Sequence, residues 1–150
     1  MYEPAFSQFE ARNPGTGVLI DTRTKEGTKE LFGDGGYAAE TLYTKNEWLE
    51  ANHDTAQGIV NATVRAIHWM QDHSAEEIAA EMPANLVGDD VDAYVDVLSK
   101  NLEIFTPDGM MPEGGYEANV RLLESSQGLK DLRPEETFTN EFAEQANAGK

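Results

Sequence analysis

The sequence predicts a helix-rich α/β fold in which two short strands are followed by four or five helices. Three observations carry this. Gly17-Val18-Leu19-Ile20-Asp21 is a nearly continuous apolar run between turn signals, and Glu40-Thr41-Leu42-Tyr43 is a second, briefer one. From Asp54 to Asp72, Ala56, Ile59, Val60, Thr63, Val64, Ile67 and Met70 recur at three- and four-residue steps and form an apolar stripe along one helix. Val91, Tyr94, Val95, Leu98, Leu102 and Phe105 repeat that period further on.

Taken in order, Pro4 suits a first helical position, and a short helix is expected to run through Phe6 and Phe9 to Arg12, where Asn13-Pro14-Gly15 ends it. Thr22 to Gly36 is polar and glycine-rich and reads as a long loop following the carboxyl end of the first strand. Thr44 with Glu47 has the spacing of a capping box for a helix carrying Trp48 and Leu49. Asp54 with Gln57 has the same signature at the start of the long helix. Inside that helix Gly58 costs about 1 kcal/mol relative to alanine.

Ser74 and Glu77 make a further capping box, for a helix with Ile78, Ala79 and Met82 inward that Pro83 stops. Asp89 or Asp90 caps the next. Thr106-Pro107-Asp108-Gly109 is a turn, since proline presets its first central angle and glycine accepts a positive one. Pro112 is expected to open a helix bearing Tyr116, Val120 and Leu123, with Gly128 after its end, and Met110-Met111 to pack against Tyr116. Phe138 to Phe142 supplies one or two helical turns, and residues 146–150 fray. No composition break marks a boundary, so residues 1–150 are expected to form a single domain.

The formal charge is −17, with 28 acidic against 11 basic side chains. Such a field repels phosphate backbones and anionic headgroups, so neither nucleic-acid binding nor membrane-surface binding is expected. Without cysteine, disulfides, thiol catalysis and cysteine-ligated zinc are excluded. No apolar run is long enough to span a bilayer. His68 and Asp72 share a helical face, but nothing completes a metal site around them or around His53 and His73. Asn61-Ala62-Thr63 matches a glycosylation acceptor inside a predicted helix. No nucleophile, base and orienting acid occur in a recognisable arrangement, so no catalytic residue and no cofactor are expected.

Tyr2-Glu3-Pro4-Ala5, Gly17 to Asp21, Leu42-Tyr43-Thr44, Thr106-Pro107-Asp108-Gly109 and Phe138-Thr139-Asn140-Glu141-Phe142 occur in an order that resembles the carboxyl-terminal part of ABC-importer solute-binding proteins. The branch is the one handling nitrate, sulfonates, taurine and thiamine-precursor pyrimidines, and the resemblance covers residues 2 to about 145. It implies a partial lobe of a two-lobed periplasmic-binding-protein-like fold, with a small polar solute held between lobes and a membrane permease as partner. It also implies a periplasmic or cell-surface location for a longer protein that carries the export signal upstream. In the family the segment matching Tyr2-Glu3-Pro4 lies at the cleft, where the carboxylate accepts from a ligand N–H and the aromatic stacks; tyrosine stands here where tryptophan is usual.

Four residues follow as ligand-binding candidates: Tyr2, Glu3, Arg23 and Tyr37. Arg23 and Tyr37 lie in the stretch after the first strand, where open α/β sheets place ligands and an arginine forks onto a carboxylate or sulfonate. Against each stands a plainer role. Glu3 suits a first helical turn by charge alone, Tyr2 suits a core, and Arg23 has many acidic surface partners. Two other functions fit the same residues: a pyrimidine-synthesis enzyme of the same fold, or a self-contained acidic helical interaction module. A homodimer of the chain is one assembly open to it, and the chain alone is expected to bind no solute tightly.

Overall fold

The computed structural model describes residues 5–34, 36–128 and 131–149. Ten helices follow one another among these residues: α1 (Ala5–Arg12), α2 (Lys25–Phe32), α3 (Asn46–Ala51), α4 (His53–Gln71), α5 (Ala75–Glu81), α6 (Ala84–Val87), α7 (Val91–Asn101), α8 (Gly115–Gln127), α9 (Pro134–Thr137) and α10 (Glu141–Ala148). A 3-10 turn, Leu102–Ile104, extends α7.

The α/β expectation is corrected: no strand occurs among the described residues, and the partial lobe of a two-lobed α/β fold is not formed. Val18, Leu19 and Ile20 are 41%, 100% and 38% exposed, and Leu42 and Tyr43 are 63% and 94% exposed. An apolar run reports a wish for burial, whereas a strand exists only through a ladder with a neighbour. Neither run is paired in a ladder among the described residues, and two short strands alone would be marginal in any case.

The stretch from Thr22 to Gly36 is corrected too, because α2 occupies most of it. Thr24, in extended conformation, accepts from the Gly27 N–H at 3.1 Å, and Gly33 ends the helix at φ 89°. Its first six residues carry no apolar period, which is why the pattern alone reads as loop. Gly27 is required by a close approach: a Cβ there would fall on the carbonyl of Asp21.

Other start signals divide. Ser74 and Glu77 exchange both capping-box bonds, at 2.8 and 3.3 Å, and Asp90 accepts from the Ala93 N–H at 3.0 Å. Helix α4 begins one residue before Asp54, after Asn52, and no side chain caps it; Gln57 instead donates to Asn61 Oδ1 and to the Phe142 carbonyl. Helix α3 follows Lys45 with no side-chain cap. Beyond Pro112 the chain turns through Gly114 at φ 78° before α8 begins at Gly115, and Gly128 closes α8 at φ 68°.

The core is small. It consists of Ala56, Val64 and Ile67 of α4, Ala75, Ile78 and Ala79 of α5, Tyr116 and Ala118 of α8, and Phe142 and Ala143 of α10. Helix α4 packs most extensively on α10, α5 on α7, and α3 on the start of α4. The Thr106–Gly109 turn is seated on α4, where Gln71 donates to the Pro107 carbonyl at 2.8 Å and the Gly109 Cα faces Val64 and Ile67. Asn147 of α10 donates to the Asp108 carbonyl at 2.9 Å, and Asn140 accepts from the Met111 N–H at 2.9 Å.

The stripe of α4 is only partly covered. Ile59 is 47% exposed, and its neighbour Gly58 has nothing within 4 Å of where a Cβ would stand. Gly58→Ala therefore removes backbone freedom from the unfolded chain without a clash, and is expected to stabilise the protein by about 1 kcal/mol. A higher midpoint in thermal denaturation, read by circular dichroism, is the check.

The chain exposes 10995 Å² in all. A compact monomer of 16.5 kDa exposes about 7,500 Å² by the usual scaling of surface with mass. Large apolar side chains contribute to the chain's surface: besides the two unpaired runs, Leu31, Leu86, Val91 and Ile104 are each at least half exposed.

Candidate functional site

Of the four candidates, Tyr2 and Glu3 lie outside the described residues; Arg23 and Tyr37 stand at opposite ends of α2. The eight residues of α2 span about 12 Å at the helical rise. Arg23 lies before its first turn and Tyr37 beyond its last.

Arg23 is part of a closed corner. Its Nε donates to Asp21 Oδ1 at 2.8 Å and its Nη2 to Oδ2 at 2.6 Å, a two-pronged pair, and its backbone N–H also donates to Oδ1 at 3.1 Å. Nη1 lies 3.6 Å from Glu10 Oε2, and the guanidinium sits 4.3 Å above the Phe6 ring. These hydrogen bonds from the Arg23 side chain, opposed by partial desolvation, hold the Asp21 carboxyl below its ordinary range. A sulfonate competing for the same fork would first have to displace Asp21. The arginine ties α1 to the entry of α2.

Tyr37 stacks on Phe32, with ring centroids 4.6 Å apart and planes 18° from parallel, and is 38% exposed. The loop between them is fastened to α8 at both ends. Arg121 Nη2 donates to the Phe32 carbonyl at 2.9 Å, and Asn119 Nδ2 to the Ala38 carbonyl at 2.9 Å. Between α2 and α8 runs an open groove of about 330 Å³ lined by Leu31, Phe32, Ala118, Arg121, Leu122 and Ser125. That volume is at the small end of the range for small-molecule sites, about 300–1,000 Å³. Asn119 and Arg121 escaped the sequence reading because a polar residue on a helix flank looks the same whether it meets water or a loop carbonyl.

The three histidines are separate. His53 lies against Phe142 with centroids 4.9 Å apart. His73 stacks on Trp69 at 4.0 Å, with its Nδ1 2.6 Å from the Trp69 carbonyl oxygen. His68 is half-buried on α4. Among the described residues no group of three or more His, Cys, Asp or Glu is placed to hold a metal ion. None of the helices described is long and apolar enough to cross a membrane.

No family model matches the chain, and no solved structure matches it. The whole of the chain is similar to a Bacillus subtilis (strain 168) protein named "Putative binding protein YtlA", at 27% identity over 157 aligned residues. The chain resembles a binding protein. It spans 43% of that relative's length, so the similarity reaches less than half of the relative.

Proposed function

We propose that the chain is part of a receptor that captures a small polar solute of the sulfonate, nitrate or pyrimidine type and hands it to an ABC importer in the membrane, without catalysis of its own. The observation that carries this is the similarity of the entire chain to a protein named for binding. The ordered segments from Tyr2-Glu3-Pro4-Ala5 to Phe138-Thr139-Asn140-Glu141-Phe142 support the importer branch. In this reading the Phe32–Tyr37 stack offers an aromatic wall at the α2–α8 groove, and Arg23 is a strut at the other end of α2. The receptor works outside the cytoplasmic membrane. The exposed apolar runs at 17–21 and 40–43 are where the rest of a receptor packs.

The test is a thermal-shift series on the longest form of the protein that its gene encodes, with taurine, nitrate and a 4-aminopyrimidine. One class is expected to raise the midpoint, with a stabilisation of about 2.7 kcal/mol at a hundred times its dissociation constant. Failure of all three classes, or chemical conversion of any of them, would overturn the proposal.

A further inference from the structure

A second, larger groove lies on another part of the molecule, between α5 and α7. Its volume is about 510 Å³, and its apolar floor is made by Ala75 of α5, Val91 and Val95 of α7, and Leu102 of the 3-10 turn. Ala75 is buried, but Val91 is 52% exposed, so the floor is open to a partner. The rim is acidic: Glu76 stands on the α5 side, Asp92 and Asp96 on the α7 side. Residues 74–103 carry eight acidic side chains against Lys100 as their one basic residue.

The rim carboxylates are not equivalent. Lys100 Nζ lies 2.6 Å from Asp96 Oδ2, one helical turn away, and already balances that charge. Glu76 is held below the ordinary carboxyl range by a hydrogen bond from its own backbone N–H and by the Ser74 side chain. Glu76 and Asp92 therefore form the effective negative rim, one on each helix.

We propose that this groove is a docking surface for a basic amphipathic helix of a partner protein. The helix sets its apolar side on Val91, Val95 and Leu102 and its lysines or arginines beside Glu76 and Asp92. Charge complementarity selects this occupant. A second copy of the chain brings another 17 negative charges, and nucleic acid or an acidic peptide is repelled by the same field. An apolar floor between charged walls is the geometry of helix-in-groove recognition. The inference does not depend on solute capture, and it holds or fails whichever solute the protein takes.

Fluorescence anisotropy with a labelled lysine–leucine amphipathic peptide of about 18 residues, five helical turns, tests it. The peptide is expected to bind the native chain and to lose about tenfold or more in affinity when Glu76→Lys and Asp92→Lys are combined. The reversal Glu117→Lys with Glu124→Lys on α8 makes the same change in net charge away from the groove and is expected to cost far less. Val95→Ser leaves the charge alone and is expected to weaken binding through the floor. A glutamate–leucine peptide of the same pattern is expected not to bind.

Equal losses in the two charge reversals would reduce the effect to diffuse attraction and overturn the proposal, as would binding of the acidic peptide or an unchanged affinity in the groove variants. Should the lysine variant not fold, as judged by circular dichroism, the neutral pair Glu76→Gln and Asp92→Asn carries the same test. Native-like affinity in that pair also sinks the idea.

Discussion

Replacing Phe142 with alanine is expected to release α10 from α4 and to cost about 3–5 kcal/mol, the range for emptying a buried phenylalanine site. The ring is 8% exposed in a core with few large members, and the His53 ring lies against it. What it anchors extends further. Asn140 and Asn147, either side of it along the chain, hold the Met111 N–H and the Asp108 carbonyl, and so pin the Thr106–Gly109 turn onto Val64 and Ile67. The bond from the Gln57 side chain to the Phe142 carbonyl crosses the same α4–α10 interface and is weakened with it. Thermal denaturation read by circular dichroism measures the loss, with Phe142→Leu as the milder comparison. A midpoint within a degree or two of the native value would contradict the α4–α10 interface.

Gly27→Ala is expected to destabilise by about 3 kcal/mol, the upper range for overpacking, although glycine to alanine inside a helix is ordinarily a gain. The added methyl would fall on the Asp21 carbonyl carbon and oxygen. That oxygen also accepts from the Thr24 N–H at 3.2 Å and the Thr24 hydroxyl at 3.0 Å. Moving it disturbs the cap of α2 and the Asp21–Arg23 fork together. Amide exchange across residues 24–32 is expected to accelerate, while α4 and α10 keep their protection. Set beside Gly58→Ala, the same chemical change has opposite signs at two helical glycines, and the distance to the nearest backbone decides which. Two stabilising outcomes would show that the corner at Asp21 is looser than described.

Local signals were legible where both partners lie within a few residues. Ser74 finds Glu77, Asp90 finds Ala93, Gly109 and Gly128 take positive angles, and the α4 stripe puts Ala56, Val64 and Ile67 inside. Illegible were the choices set by a remote group. Gln57 has the spacing for a capping box but reaches the carbonyl of Phe142, 85 residues away. Asn119 and Arg121 are ordinary helix-flank residues until the Ala38 and Phe32 carbonyls arrive beside them. Arg23, named from the sequence as a ligand-binding candidate, pairs instead with Asp21, two positions back in the chain. The nearness was in the sequence; the direction of the side chain was not.

By itself the sequence determined the helices with an apolar period, the turns that end them, and a formal net charge of −17. Those properties follow from local sterics and from summed charge, which need no knowledge of what lies across the molecule. Only the tertiary structure decided that the runs at 17–21 and 40–43 are not strands, that a helix stands between them, and that Tyr37 meets Phe32. Each depends on a neighbour distant in the chain or on the lack of one among the described residues. Burial can be sought by a sequence pattern, but pairing needs the second partner in place.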